Sequence, residues 1–144
     1  MVIITEEITI EAPAEEVWAL VAAAERQAEW FPGMTSSTVE GTVRTIGTAA
    51  GGILLEEILD IDHERRRFEY RITGPMQFDH HLGSIEVHEV DGAKGASRVV
   101  YGQELEPTAL ANVLGAALRD ALVGLRELVE TGATSRGWDP EGGA

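Results

Sequence analysis

The sequence predicts an α+β fold in which a seven-stranded antiparallel sheet curls around one long C-terminal helix. Three observations carry that expectation. One strand-like segment and two short helical ones are followed by six period-two segments, and short turns between consecutive strands imply antiparallel pairing. Residues 109–131, ALANVLGAALRDALVGLRELVET, repeat their apolar side chains at helical spacing. Leu110, Val113, Leu114, Ala117, Leu118, Ala121, Leu125 and Leu128 fall on one arc, with Asn112, Arg119, Arg126 and Glu130 opposite. Finally, that arc spans about half the circumference, wide for a helix leaning on one flat neighbour, so the sheet should wrap around it.

Taken in order, residues 2–11 read as a strand with Ile4, Ile8 and Ile10 on one face. Pro13 opens the first helix, expected over 14–24, and Glu15 and Glu16 sit where the helix dipole favours negative charge. Val17, Leu20 and Val21 should pack inward. A second short helix, 25–30, must stop before Pro32. Trp18 and Trp30 should fasten these helices to the sheet. Strands are expected at 34–40 and 42–46 around Gly41, then at 53–62 and 66–73, and finally at 80–90 and 97–105 around a turn at 91–95. The segment 47–52, GTAAGG, is a loop without large side chains. Pro107 ends the sheet, Thr108 should cap the long helix, and Gly132 stands where a left-handed terminal residue belongs. At 1.5 Å per residue that helix is roughly 35 Å long.

The 144 residues fit one domain over 1–131, followed by a glycine-rich, disordered tail over 132–144. Composition is ordinary for a globular chain, at 44% hydrophobic and 25% charged. Charge is not: 25 acidic against 11 basic residues leave −14, which repels phosphate backbones and anionic lipid surfaces. Nucleic acid is therefore not an expected partner. No cysteine is present, which removes disulfides, thiol nucleophiles and thiolate metal sites. No uninterrupted apolar run approaches the roughly 20 residues of a membrane span, and a cytoplasmic location is the expectation. Phosphate-loop, G-x-S-x-G and H-E-x-x-H patterns are missing, and no cofactor is called for.

The order of elements, with APAEEVWALV, AEWFPGM, VEGTVRTIG, LEEILDIDHERRRFEYRITGP, SRVVYGQELEP and the final helix, resembles the START-like or Bet v 1-like (SRPBCC) superfamily, specifically its bacterial polyketide cyclase/dehydrase branch. The resemblance covers roughly residues 2–131 and implies a helix-grip fold with a pocket between sheet and helix, its entrance rimmed by 47–52 and 74–77. It does not specify a function, since this superfold hosts carriers, receptors, hydrolases and cyclases.

Alternation assigns the concave face. Val99, Tyr101, Gln103 and Leu105 should point inward on the last strand, and Phe68, Tyr70 and Ile72 on the fifth. Ser37 and Val39 should do so on the second, and Leu82 and Ser84 on the sixth, with His80 just ahead. The fourth strand is ambiguous. Bare alternation buries Ile53, Leu55, Glu57, Leu59 and Ile61, whereas the resemblance places a cavity glutamate six residues before an aspartate, matching Glu56 and Asp62. A bulge near Asp60 would reconcile the two, so Glu56, with Ile58, is taken as inward. The resemblance also matches Arg44 to an arginine on the preceding strand. As cross-strand neighbours Arg44 and Glu56 would neutralise each other in an apolar interior and orient a ligand through its carbonyl or carboxylate. Leu114, Leu118 and Leu122 would form the floor.

A metal site is not expected. His80 and His81 point to opposite faces, and His80 and His88 lie ~26 Å apart along an extended strand. The function these residues point to is binding of a small hydrophobic or amphipathic ligand, lipid- or polyketide-like. The alternative is a cyclase or aromatase in which Arg44, Glu56, Tyr70 or His80 moves protons or polarises carbonyls. Against it, three Phe, three Trp and two Tyr make a sparse aromatic lining. A third possibility is a ligand-gated protein-interaction module, with an exposed apolar cluster at 49–54 as its docking point.

Overall fold

The computed structural model describes residues 1–90 and 93–134; the first two residues of the last expected turn, 91–92, and the expected tail beyond 134, Trp138 included, lie outside the described residues. The chain forms β1 (Val2–Ile10), α1 (Ala14–Ala22), a 3-10 helix (Ala24–Glu29), β2 (Met34–Glu40), β3 (Val43–Thr48), β4 (Ile53–Asp62), β5 (Arg67–Gly74), β6 (His80–Val90), β7 (Ala93–Glu106), a 3-10 turn (Thr108–Leu110) and α2 (Ala111–Thr131). All seven strands join one sheet in the order β1-β7-β6-β5-β4-β3-β2, every neighbouring pair antiparallel. This is the expected α+β, helix-grip architecture. Strands β2 to β7 form a meander, and β1 closes the far edge against β7.

Local chemistry explains the helices. Pro13 has an extended ψ of 145° and its carbonyl takes the N–H groups of Glu16 and Val17, so α1 starts on a residue that has no N–H to orphan. Val17, Trp18 and Val21 are buried, while Leu20 is half-buried against the same core. The second helix is 3-10, not α. With three residues per turn, Ala24, Gln27 and Trp30 eclipse one another, and all three are buried.

At the other end, Thr108 makes no capping bond; a 3-10 turn stabilised by Leu110 N–H to Pro107 O leads into α2 instead. Gly132 adopts φ 77° and donates to the Leu128 carbonyl at 2.9 Å, the expected left-handed stop. The helix buries Leu118, Ala121, Leu122, Gly124 and Leu125, none of them in its first two turns. Its first half is open: Leu110, Leu114 and Ala117 are half-buried, and Val113, expected inside, is 69% exposed. Residues Thr108–Thr131 contain an 18-residue window of mean hydropathy 1.3 and are long and apolar enough to cross a membrane by length and composition. In this fold the same helix lies along β1 and β7.

The main core joins α1, the concave faces of β5, β6 and β7, and α2 through Val17, Trp18, Phe68, Tyr70, Ile85, Val99, Tyr101, Leu118 and Leu122. A smaller cluster, Ala28, Met34 and Ile46, seats the 3-10 helix on β2 and β3.

Candidate functional site

The site grows from the β3–β4 register. Arg44 pairs directly with Glu56, so both side chains leave the sheet on one face. Both are only 2% exposed. Arg44 Nε and one terminal nitrogen donate to the same carboxylate oxygen, Glu56 Oε1, at 2.8 and 2.6 Å, and the other terminal nitrogen donates to the Ala24 carbonyl at 3.3 Å. The guanidinium also lies 5.1 Å from the Phe68 ring centroid and 5.5 Å from that of Tyr70, where each ring face attracts a cation. Burial holds the Glu56 carboxyl above the usual carboxylate value despite its arginine.

What selects Glu56 over Glu57 is backbone irregularity. The pairing runs from Ile58↔Tyr70 to Asp60↔Glu69, leaving Leu59 as an extra residue, and a second shift lies between Leu55 and Glu56. The shift at Leu59 changes which alternate residues of β4 face inward. Glu56 and Ile58 therefore share the inner face with Ile61, and Leu59 is 43% exposed. Glu57 instead accepts from the Thr42 hydroxyl at 3.0 Å near the surface.

Beside this pair runs a polar chain across three strands. Tyr70 pairs with Gly83 and Gly83 with Gln103, so a side-chain gap separates the two polar residues. The Tyr70 ring fills it: a Cβ built on Gly83 would stand 2.5 Å from Tyr70 Cε1 and 2.9 Å from its hydroxyl. Across the gap Gln103 Nε2 donates to Tyr70 Oη at 2.9 Å, and the hydroxyls of Tyr70 and Tyr101 lie 2.7 Å apart. Gln103 Oε1 lies 2.9 Å from His81 Nε2, and His81 Nδ1 accepts the Ile72 N–H at 3.0 Å. Because Nδ1 accepts, the neutral ring carries its proton on Nε2 and donates it to Gln103. Burial pushes both tyrosine hydroxyls well above their ordinary value, so both stay protonated.

The same network sets a pH test. Burial lowers His81 below its ordinary 6.5, outweighing the Gln103 bond. The stability due to the neutral ring is complete above pH 6.5 and is lost as the pH falls toward the lower, folded value. Glu56, raised above 4.5, acts in the opposite sense: its contribution is present below 4.5 and fades as the pH rises through its folded value. It is common to wild type and His81→Asn, so their difference isolates the imidazole. Urea midpoints measured from pH 7.5 to 5 should fall more steeply for wild type than for His81→Asn; parallel curves would remove His81 from the acid response.

Several expected site residues lie elsewhere. His80, Leu82 and Ser84 project from the outer face of β6, not the concave one. His80 is exposed and 3.3 Å from Glu104, and Leu82 and Ser84 line a shallow outer hollow of about 140 Å³ with Ile3, Thr5 and Val100. The inward set is His81, Gly83, Ile85 and Val87. The signal was present in Ile85 and Val87, which alternate with Glu86 and His88; Leu82 suggested the wrong phase because the glycine beside it carries no polarity. Val39 pairs with Arg44 but at the sheet margin, where it is 37% exposed. The Ser37 hydroxyl bonds the Glu25 carbonyl and the Ala28 N–H, so it ties the 3-10 helix to β2 and presents no free group. Leu114 is half-buried, whereas Leu118 and Leu122 are buried in the main core. Trp18 donates to His63 Nδ1 at 3.1 Å, binding α1 to the β4–β5 turn.

Alternation on the strands offered no route to Gln27 and Trp30. Both are buried, at 1% and 2% exposure, and among the described residues neither the Gln27 amide atoms nor Trp30 Nε1 has a hydrogen-bond partner. Ala24, which receives Arg44, lies one turn before Gln27, and Trp30 shares a core cluster with Tyr70 and Tyr101. Gln27 thus lies one turn beyond the residue whose carbonyl receives Arg44.

No curated protein matches this sequence. Solved structures do match in fold. XoxI from Bacillus cereus superposes with a TM-score of 0.82 at 22% identity, over 91% of this chain and 97% of its own. A START superfamily protein from Mycobacterium smegmatis gives 0.76 at 11% identity, over 89% and 97%. The di-domain ARO/CYC BexL from the BE-7585A biosynthetic pathway gives 0.76 at 22% identity, over 90% of this chain and 47% of that one. The sequence model of one family, described as polyketide cyclase / dehydrase and lipid transport, matches residues 1–130. With the sheet, the terminal helix and nearly every described residue inside that match, the chain belongs to the polyketide cyclase / dehydrase and lipid transport family.

Proposed function

We propose that the protein binds a small hydrophobic or amphipathic molecule, lipid- or polyketide-like, between the concave face of the sheet and the first half of α2. Ile58, Phe68, Ile72, Leu114, Leu118 and Leu122 would supply the apolar walls and floor, and Arg44, Glu56, Tyr70, Tyr101 and Gln103 the polar anchors. The observation that carries this reading is the set of buried polar atoms left without partners. In a close-packed interior such atoms are costly, and they persist where a ligand or ordered water completes them. The half-open first turns of α2 support it as well, because α2 lies along β1 and β7 and the 3-10 helix on β2 and β3, with the concave face of β4 and β5 between them. Affinity would come mainly from apolar burial, at about 25 cal/mol per Å².

The test is native mass spectrometry of protein purified from cells, followed by thermal shifts against fatty acids, alcohols, sterols and aromatic polyketides. A ligand present at 100 times its Kd adds about 2.7 kcal/mol, a rise in Tm of roughly 5–10 °C for a domain of this size. A flat panel together with ligand-free protein would count decisively against binding as the function.

Cyclisation of a polyketide-like chain is the second reading, favoured by one feature: Glu56 is held toward its protonated form while its Oε2 lies outside the Arg44 bonds. In that case Glu56→Gln should abolish turnover of a poly-β-keto substrate and leave its binding intact. Turnover equal to wild type would exclude Glu56 as the acid.

A further inference from the structure

Resting on the ligand-binding reading above, we infer that the pocket selects a neutral amphiphile whose polar end both donates and accepts hydrogen bonds, such as a hydroxyl or carboxamide, and discriminates against a free carboxylate. A charge count of the interior leads there. Among the described residues Arg44 is the one buried arginine, and its charge is cancelled by Glu56 at direct contact. Tyr70 and Tyr101 are neutral, and His81 accepts a backbone N–H on Nδ1, which fixes it as a neutral ring at pH 7 and above.

The buried cluster therefore has no positive charge left for an anion. The Glu56 oxygen outside the Arg44 bonds is Oε2, since both converge on Oε1. A ligand carboxylate in this interior would face a like charge across a medium of low dielectric, where repulsion at contact distance is several-fold stronger than in water. The chain as a whole, at −14, repels an approaching anion too. A hydroxyl or amide meets the opposite situation. Its proton can go to Glu56 Oε2 or Gln27 Oε1, and its oxygen can accept from Gln27 Nε2 or Trp30 Nε1, the buried atoms that hold no partner. From the sequence the Arg44–Glu56 pair is expected to orient a carbonyl or a carboxylate; the direct contact between the two charges disfavours the carboxylate.

The experiment compares decan-1-ol, decanamide and sodium decanoate, equal in chain length, by isothermal titration calorimetry at pH 8. Wild-type protein should bind the alcohol and the amide at least about tenfold more tightly than decanoate. Glu56→Gln, which frees Arg44 and removes the like charge, should raise decanoate affinity by about tenfold or more. Gln27→Leu should weaken decanamide by a similar factor, because it removes both a donor and an acceptor for the amide. Decanoate binding to wild type as tightly as decanol would overturn the selectivity and leave the carrier reading standing. Failure of all three probes, together with a flat ligand panel, would overturn the carrier reading itself. Should Glu56→Gln fail to fold, the wild-type comparison alone decides.

Discussion

Arg44→Ala should cost about 3–5 kcal/mol of folding stability. The reason lies less in the lost attraction than in what remains. Glu56 would stay 2% exposed with no cation at contact, and a buried charge without a partner carries the full cost of its dehydration. The substitution also releases the Ala24 carbonyl and leaves a void beneath the Phe68 and Tyr70 rings. Replacing both partners, as Arg44→Met with Glu56→Leu, should recover most of the loss, because two apolar side chains of similar volume need no dehydration of charge. Urea unfolding of wild type, both single variants and the double variant at pH 7 closes the cycle. A loss below about 1 kcal/mol for Arg44→Ala would mean that water reaches the pair and that the site is not a dry anchor.

Gly83→Ala should remove about 1–3 kcal/mol and disable the polar chain at the same time, although it adds one methyl group. The new Cβ would meet Cζ, Cε1 and the hydroxyl of Tyr70, all closer than van der Waals contact allows. Tyr70 is 2% exposed and wedged between Phe68 and Tyr101, so its ring must swing and its hydroxyl must leave Gln103 and Tyr101. Ligand affinity should fall with stability, which a surface glycine would not produce. Gly83→Ala combined with Tyr70→Leu should fold better than Gly83→Ala alone, since the shorter side chain vacates the collision. If the single variant unfolds at the wild-type urea midpoint, the ring does not lie across β6 as described.

Much of this was legible in the residues. Period-two patterning placed all seven strands, with β2, β4 and β6 matching to the residue. Inward faces on β5 and β7 followed because Phe68, Tyr70 and Ile72, and Val99, Tyr101 and Leu105, differ sharply in polarity from their alternates. Where polarity was ambiguous, alternation failed. On β6 a glycine and two histidines hid the phase, and on β4 the bulge at Leu59 shifted it midway. Val113 sat on the apolar arc of α2 yet lies in solvent, because an arc drawn on one helix says nothing of where its neighbour ends.

The sequence by itself determined the class of fold, the element order and the presence of an apolar seam for α2, because these depend on local spacing and on the gain from hiding hydrocarbon from water. Tertiary structure alone decided which polar atoms meet. The Arg44–Glu56 pair was expected from the family resemblance and not from alternation, whereas its bond geometry, the reach of Tyr70 over Gly83 to Gln103, and the isolation of the Gln27 amide arise from strand register and close approach between segments distant in the chain. Register responds to single-residue shifts and to side-chain volume across the sheet, and neither is written in the periodicity of any one strand.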